Sequence, residues 1–295
     1  MLQKEQLTGM NRQRIRNVDN LIKYFFVTAL AGVLYLGTSQ VSFGQLQDGD
    51  FEDFTTAPSS TNGGGLSSPD YATGATLTYW SNAGYNYVFT GGNPGDLVIS
   101  GQFGTNDFAL AGPANGNANG LALPAGYTGN VVALDPVVEV GPLTQVVTGL
   151  TDGKTYAVTF DWAGAQQYDY NTPTTENMSV ALGSSTGVFI PGSGDTSGTL
   201  VGGQTTTTTN NLPNGFTGWE TQTFDFTADA TTETLYFLAG GGPVGDPPFV
   251  LLADVSMTPV PEPATAASWT MLFGMLILLG NRAWRRYQKR PSTVT

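Results

Sequence analysis

The 295-residue sequence predicts an all-β fold, and three observations support that prediction. Residues 45–258 contain no long stretch of helical periodicity; their apolar residues occur in short runs separated by Gly, Asn, Pro and Asp. The chain has 39 glycines, and only 12% of its residues are charged, against about a quarter in an average soluble domain. Such a composition favours an extracellular β-domain over a helical one.

Short alternating runs in this central region predict the strands. Tyr156, Val158, Phe160 and Trp162 share one face by a period of two, within the run 155–164. The spacing of the runs predicts one β-sandwich domain with long loops at 56–71, 93–126 and 196–215. The other predicted strands are 77–89, 130–141, 144–150, 177–183, 187–192, 221–228, 232–238 and 249–257. The turn at 151–153 predicts a β-hairpin between its flanking runs.

The residue types that are missing exclude several kinds of chemistry. The chain has no Cys and no His, which excludes thiol nucleophiles, Ser–His triads and nearly every zinc, copper or haem site. Carboxylates, hydroxyls and aromatic rings remain, and these serve glycoside hydrolysis, calcium binding or sugar stacking. Lys154 is the only basic residue between Lys23 and Arg282. The acidic central region therefore predicts no nucleic-acid partner and no attraction to anionic lipid.

The N-terminal segment, residues 1–44, predicts an export signal. A basic stretch from Lys4 to Lys23 precedes an apolar run at 24–37, and small residues follow it. We expect signal peptidase to cut between Gly44 and Gln45. Cleavage near Ser39 and an uncleaved signal anchor are the alternatives.

The C-terminal segment, residues 259–290, has three parts. Pro261 and Pro263 keep the backbone around Glu262 extended. The uncharged run 264–280 would span roughly 25 Å as a transmembrane helix. A basic cluster at 282–290 is expected to stay in the cytoplasm by the positive-inside rule; it consists of Arg282, Arg285, Arg286, Lys289 and Arg290. A buried core helix at 264–280 is the alternative.

The order Val-Pro-Glu-Pro-Ala-Thr (260–265), apolar helix and arginine-rich end resembles the PEP-CTERM sorting domain. The resemblance covers about the last tenth of the chain. It implies export in a Gram-negative bacterium that makes extracellular polysaccharide, and transient anchoring in the inner membrane. An exosortase-like membrane peptidase would then process the chain near Pro261, Glu262 and Pro263, leaving the protein at the cell surface or in the extracellular matrix.

Four central stretches, taken in order, resemble the galactose-binding-like jelly rolls found in many carbohydrate-binding modules. They are 48–52 (DGDFE), 145–156 (QVVTGLTDGKTY) with the strand at 160–162, 219–228, and 252–256 (LADVS). The resemblance implies a jelly-roll β-sandwich in which the opening acidic stretch and the closing strand lie side by side. It also implies a structural calcium ion, with Glu52 and Asp254 as ligands and Asp50 as a third candidate. Ala253 departs from the pattern, since the closing motif commonly carries an acidic residue there.

A sugar binder needs exposed aromatic rings with polar neighbours. Trp80, Tyr85 and Tyr87 form one candidate group, and residues 166–170 form another. The alternative is that Trp80 and Trp162 belong to the core and that the tyrosines lie on the strand surface. No carboxylate pair in the sequence has a spacing that predicts a hydrolase site; the acids considered are Asp135, Glu139, Asp161, Asp169, Glu176, Glu220 and Asp225.

The sequence thus predicts an exported, non-catalytic surface or matrix protein with affinity for extracellular polysaccharide. Two alternatives stay open. One is a polysaccharide hydrolase that uses paired carboxylates, and the other is a structural envelope protein without a small ligand.

Replacing Pro261-Glu262-Pro263 with three alanines should leave a membrane-retained precursor, because the motif read by the processing enzyme is gone. Cell fractionation and mass spectrometry of the chain would detect the retained precursor. The same mass spectrometry would locate the N-terminus, which is expected at Gln45. Normal processing of the alanine variant would contradict the sorting role, and a chain that starts at Met1 would contradict signal cleavage.

Overall fold

A computed structural model of the protein describes residues 46–58, 65–69, 74–90, 109–184, 188–192, 197–261 and 282. The strands of these residues lie mainly in two antiparallel sheets. One has six strands, in the order β11 (Gln204–Thr205), β8 (Thr174–Gly183), β14 (Thr232–Gly242), β6 (Leu143–Thr148) and β3 (Ser81–Asn82), with β12 (Thr209–Asn211) also paired to β8. The other has five, in the order β13 (Glu220–Thr227), β7 (Thr155–Gln166), β15 (Pro248–Pro259), β5 (Val131–Leu134) and β4 (Tyr87–Phe89).

Two short strand pairs flank these sheets. β1 (Phe54–Thr56) pairs with β2 (Thr76–Leu77), and β9 (Phe189–Pro191) pairs with β10 (Gly198–Leu200). A 3-10 turn at Pro113–Asn115 lies in the long segment before β5. None of the helical residues described belongs to a helix long and apolar enough to cross a membrane.

The main hydrophobic core lies between the two sheets, which makes the domain a β-sandwich. Alternate residues of β7 are buried, as the period of two predicts, and they meet buried residues of β8, β14 and β15. Phe160 of β7 contacts Phe237 of β14 edge to face, with ring centroids 5.3 Å apart. Phe226 of β13 and the half-buried Phe224 complete this side of the core, as the alternation of that strand predicts.

The five-stranded sheet is also covered on its outer face over part of its length. Ala163 and Ala165 of β7 and Phe249 and Leu251 of β15 point away from the main core and form a second buried cluster. Residues 109–127 and 216–219 pack over this cluster. The strands concerned read as nearly continuous apolar runs because both of their faces are buried.

Every predicted strand run contains at least one observed strand, but two local predictions were wrong. The turn before β7 has the expected form, with the Lys154 N–H donating to the Thr151 carbonyl oxygen and Gly153 at φ +77°. It does not close a hairpin, however, because β6 and β7 belong to different sheets and the turn crosses between them. The predicted loop 196–215 contains β10, β11 and β12, of which the last two extend the six-stranded sheet.

Both chain ends lie outside the described residues, apart from a few positions. The signal segment 1–44, the cleavage site at Gly44 and Gln45, and the helix predicted at 264–280 are not described. Of the sorting tail, the structure describes residues 259–261 and Arg282; Pro259 ends β15, and the Val260 N–H donates to the Thr155 carbonyl oxygen. Glu262, Pro263 and the rest of the basic cluster, Arg285, Arg286, Lys289 and Arg290, stay predictions.

Candidate functional site

The aromatic platform predicted at Trp80, Tyr85 and Tyr87 is not formed. Trp80 is 4% exposed and Tyr87 is 1% exposed, and they belong to different core clusters. Trp80 packs between Phe51 and Phe237, and its Nε1–H donates to the Asp48 carbonyl oxygen at 2.8 Å. Tyr85 is half-buried and stacks edge to face on Tyr87. Trp80 therefore belongs to the core, as the alternative interpretation of the sequence holds.

The second aromatic group, residues 166–170, is divided by the fold. Gln166 is fully buried, and its Oε1 accepts the Asn214 backbone N–H at 2.6 Å. Tyr168 is exposed at the surface, and Asp169 adopts a positive φ of 73° in the turn that follows. The Gln166 side chain thus joins β7 to the distant loop that contains Asn214. Because it is buried, it forms no binding surface together with Tyr168.

The opening acidic stretch and the closing strand lie side by side, as the resemblance implies. The Val255 N–H donates to the Gly49 carbonyl oxygen at 2.9 Å. Asp254 sits at φ +48° in an irregularity of the β7–β15 pairing between Ala253 and Ser256. The Asp48 carboxylate accepts the N–H groups of Glu52 and Asp53 and so shapes the opening loop.

An acidic cavity of about 350 Å³ lies at this corner of the molecule. Asp50, Asp161 and Asp254 line it together with Tyr127, whose hydroxyl donates to the carbonyl oxygens of Asp50 and Asn130. Burial raises the pKa of Tyr127 well above its ordinary value, and the nearby charges of Asp50, Asp254 and Glu52 raise it further. Burial also raises the pKa of Asp48 to about 6.

Glu52 and Asp254 both lie near Tyr127 at this corner, and both of their side chains are exposed. Among the described residues, no group of three or more Asp or Glu side chains has an arrangement that could hold a metal ion. A calcium ion here would therefore need main-chain carbonyl oxygens besides these two carboxylates.

The buried acid Asp135 has a structural role in its loop. Its Oδ1 accepts the N–H groups of Val137 and Val138 at 2.7 and 2.9 Å. Burial raises the pKa of this carboxyl to about 7, against the effect of those two hydrogen bonds. Asp161 accepts the Thr221 hydroxyl at the strand surface.

A larger polar pocket, of about 570 Å³, lies at the end of the sandwich where β7 finishes. We call it the amide pocket, because five asparagine side chains line it. Its lining comes from two loops nearly a hundred residues apart in sequence and consists of Asn117, Ala118, Asn119, Asn210, Asn211, Leu212, Pro213, Asn214, Gly215, Phe216 and Thr217.

Hydrogen bonds to rigid strands hold the two loops of the amide pocket together. The Thr217 hydroxyl accepts the N–H of Gly164 in β7 at 2.8 Å, and the Thr217 N–H donates to the Gly164 carbonyl oxygen. Asn119 donates through Nδ2 to the carbonyl oxygens of Ala111 and Asn214. The pocket wall is therefore pre-organised by the end of the five-stranded sheet.

Some amide groups of the pocket are used for structure and others face the pocket without a protein partner. Asn211 is buried and donates through Nδ2 to the Gly215 carbonyl oxygen at 3.1 Å. Among the described residues, the side-chain amides of Asn210 and Asn214 have no hydrogen-bond partner in the protein. Each of these two amides offers both donors and an acceptor to a ligand.

An aromatic pair adjoins the amides. Phe216 lines the pocket, and its ring lies 6.2 Å from that of Trp219, edge to face. Both rings are half-buried against the second core cluster, and Trp219 donates through Nε1 to the Ala122 carbonyl oxygen. Leu212, at 76% exposed, stands at the rim. The pocket thus combines apolar ring surface with uncharged polar groups.

Glu176 of β8 lies behind this wall and is fully buried. Its Oε1 accepts the Thr174 hydroxyl, while its Oε2 accepts no hydrogen bond and lies 2.7 Å from where a Cβ on Gly164 would stand. Burial raises the pKa of Glu176 to about 7, opposed by the neighbouring Thr174 and Asn211 side chains. No charged side chain contributes to that shift.

Sequence reasoning did not find the amide pocket, although it had a signal. The segments 115–119 (NGNAN) and 210–214 (NNLPN) are both rich in asparagine. Each was interpreted only as part of a loop, and nothing in either segment shows that they meet.

Comparisons with known proteins give structural likenesses alone. No family model and no curated protein matches the chain. One similar solved structure is a CBM4 protein, at 18% identity and a TM-score of 0.28 over 57% of this chain and 97% of that one. Another is TmCBM61 in complex with β-1,4-galactotriose, at 15% identity and a TM-score of 0.29 over 62% of this chain and 90% of that one. A third is the K3 adhesin domain of Lys-gingipain from Porphyromonas gingivalis, at 17% identity and a TM-score of 0.28 over 60% of this chain and 99% of that one. Such low TM-scores add nothing to the fold argued from the strand pairing.

The variant Glu176→Gln should change how stability depends on pH. Because the pKa of this carboxyl rises from about 4.5 to about 7 on folding, the folded chain binds the proton more tightly than the unfolded chain. Wild-type stability should therefore fall as pH rises from about 4.5 through 7, and Glu176→Gln should lose that part of the decline, up to about 3 kcal/mol by pH 8.

Urea unfolding at pH 5, 6, 7 and 8 would measure the effect. The exposed Glu220→Gln variant removes one carboxyl from the surface of β13 and should keep the wild-type slope. A Glu176→Gln protein whose stability declines as steeply as the wild type would contradict this account of the buried carboxyl.

Proposed function

We propose that this protein is a non-catalytic glycan-binding protein of the bacterial cell surface and that the amide pocket is its binding site. The observation that carries the proposal is the composition of the pocket: unpartnered amides beside a half-buried aromatic pair, on a wall held by strand hydrogen bonds. Sugar rings present hydroxyls that both donate and accept hydrogen bonds, and C–H faces that pack on aromatic rings.

The strand order supports a jelly-roll assignment for the sandwich. The pairs β5–β15, β6–β14, β7–β13 and β8–β11 bring early strands against late ones, and consecutive strands from β5 to β8 alternate between the two sheets. A long hairpin of chain wound around a barrel-like core has this pairing. In such a fold the end loops lie together, which suits a ligand site at the amide pocket.

Export and surface location form part of the proposal, and their support is in the sequence. The expected signal segment at 1–44 and the sorting tail at 259–290 would place the domain outside the inner membrane after cleavage by signal peptidase and an exosortase-like peptidase. An acidic domain with few charges and no cysteine or histidine is compatible with an extracellular matrix.

A structural calcium ion at the acidic corner is a second element of the proposal. Its support is the backbone pairing of Gly49 with Val255, which brings Glu52 and Asp254 to the same corner, and the cavity between Asp50 and Asp254. Calcium bound there would offset repulsion among these carboxylates and would tie the opening segment to the closing strand.

Substitutions Asn214→Ala and Phe216→Ala should each weaken binding of a polysaccharide by roughly 5- to 30-fold, since each removes one contact type worth about 1 to 2 kcal/mol. Affinity electrophoresis and pull-down against a panel of polysaccharides would measure this. Thr223→Ala, at an exposed position of β13, serves as the matched surface control.

The glycan experiment also separates the alternatives. Shortened glycans among the products would indicate a hydrolase. A folded wild-type protein that binds no glycan, or Asn214→Ala and Phe216→Ala proteins that bind as tightly as wild type, would contradict the proposal and favour a structural envelope protein or another site.

Removal of calcium with EDTA should lower the Tm of the wild-type protein if the ion joins the opening segment to β15. The Asp254→Ala protein should show no such change, because one ligand is already missing, while Asp225→Ala, at an exposed position of β13, should behave as wild type. Differential scanning calorimetry would measure the three proteins. An unchanged wild-type Tm in EDTA would argue against the metal.

A further inference from the structure

The distribution of charge restricts the kind of glycan that can approach the amide pocket. Residues 45–258 contain twenty Asp and Glu residues and a single basic residue, Lys154. Lys154 lies directly before β7, whereas the pocket lies beyond Gly164, nine residues along that strand. At about 3.3 Å per residue the two are roughly 30 Å apart. This exceeds the screening length of about 10 Å at 0.1 M salt.

Among the residues that the structure describes, none that lines the pocket is charged. All of its lining side chains are amides, one hydroxyl, or apolar groups. The groups without a protein partner, the amides of Asn210 and Asn214, suit hydroxyls, which need a donor and an acceptor at once. They supply no cationic group of the kind that recognises carboxylate or phosphate, such as the fork of an arginine.

The carboxyl of Glu176 lies behind the wall, and because burial raises its pKa to about 7 it adds negative potential there only at and above about pH 7. It is separated from the pocket by Asn211, whose side chain lies beside Glu176 and also lines the pocket. Because no cation contributes to the surroundings of Glu176, its charge is not neutralised where it ionises. A ligand carboxylate at the pocket would face this charge in a partly desolvated site, where screening is weak.

We propose that the amide pocket binds an uncharged glycan and excludes uronic acid polymers, the selection being made by the free amides of Asn210 and Asn214 and by the lack of a cation near them. This inference rests on the proposed function and specifies its ligand class. The free amides contact ring hydroxyls, and Phe216 packs against the C–H face of the ring. A carboxylate at C6 finds no counter-charge at the pocket and loses part of its hydration there, so that the site discriminates largely by rejection.

Polysaccharide pairs that differ mainly at C6 provide the test: galactan with polygalacturonate, mannan with polymannuronate, and glucan with polyglucuronate. Binding to the full-length protein would be measured by affinity electrophoresis and calorimetry at 20 mM and 500 mM NaCl. We expect at least one neutral polymer to bind ten or more times more tightly than its uronate partner at low salt. The difference should narrow at high salt because salt screens the repulsion.

Two lysine variants separate a local effect of the pocket from the net charge of the domain. Asn210→Lys places a cation at the pocket and should bring uronate affinity to within about threefold of the neutral polymer. Thr227→Lys adds the same charge at the far end of β13, paired with Thr155, and should keep the wild-type preference. Circular dichroism confirms that both variants are folded.

Each outcome has a defined meaning. A uronate polymer that binds as tightly as its neutral partner at low salt would overturn the ligand class and leave glycan binding itself intact. Equal narrowing by Asn210→Lys and Thr227→Lys would overturn selection at the pocket, because net charge alone would then explain it. Failure of every polymer to bind would refute the proposed function together with this inference.

Discussion

The packing of β7 against β8 and β14 across the sandwich is the interaction on which the rest of the structure depends. Phe160 contacts Phe237 of the opposite sheet, and buried residues before and after it extend the same contact surface along β7. Burial of this apolar face is the main favourable term in folding. β7 ends at Gln166, and the amide pocket lies at that end of the strand.

The outer face of β7, which points away from the main core, is covered at one end of the strand and lies at the surface at the other. Near its C-terminal end, Ala163 and Ala165 lie under the loops 109–127 and 216–219. Small side chains there allow the covering loops to pack close to the sheet. The first loop supplies Asn117 and Asn119 of the pocket, and the second supplies Phe216 with Trp219 beside it. Nearer its start, Thr155 and Thr159 instead stay at the surface, bonded to threonines of β13.

Glu176 is a buried polar group beside the amide pocket, and its ionisation affects the stability of the sandwich. Burial removes water from the Glu176 carboxyl, and no cation compensates for that loss. The fold accommodates the carboxyl because Gly164 leaves room for it and the Thr174 hydroxyl donates a hydrogen bond to it. The pocket and the charge distribution are the structural features from which the proposed binding of neutral polysaccharide is argued.

The sequence by itself determined the all-β class, the faces of most strands and the scarcity of cations, because period-two alternation and composition are local properties. The resemblance of stretches 48–52 and 252–256 to jelly-roll modules also implied that these stretches lie side by side, and the Gly49–Val255 hydrogen bond agrees with it. Only the tertiary structure decided that the turn at Thr151–Lys154 crosses between sheets and that Trp80 is core. It alone brought Asn119 against Asn214. Partner choice between strands and contact between distant loops depend on non-local burial, which no short stretch of sequence encodes.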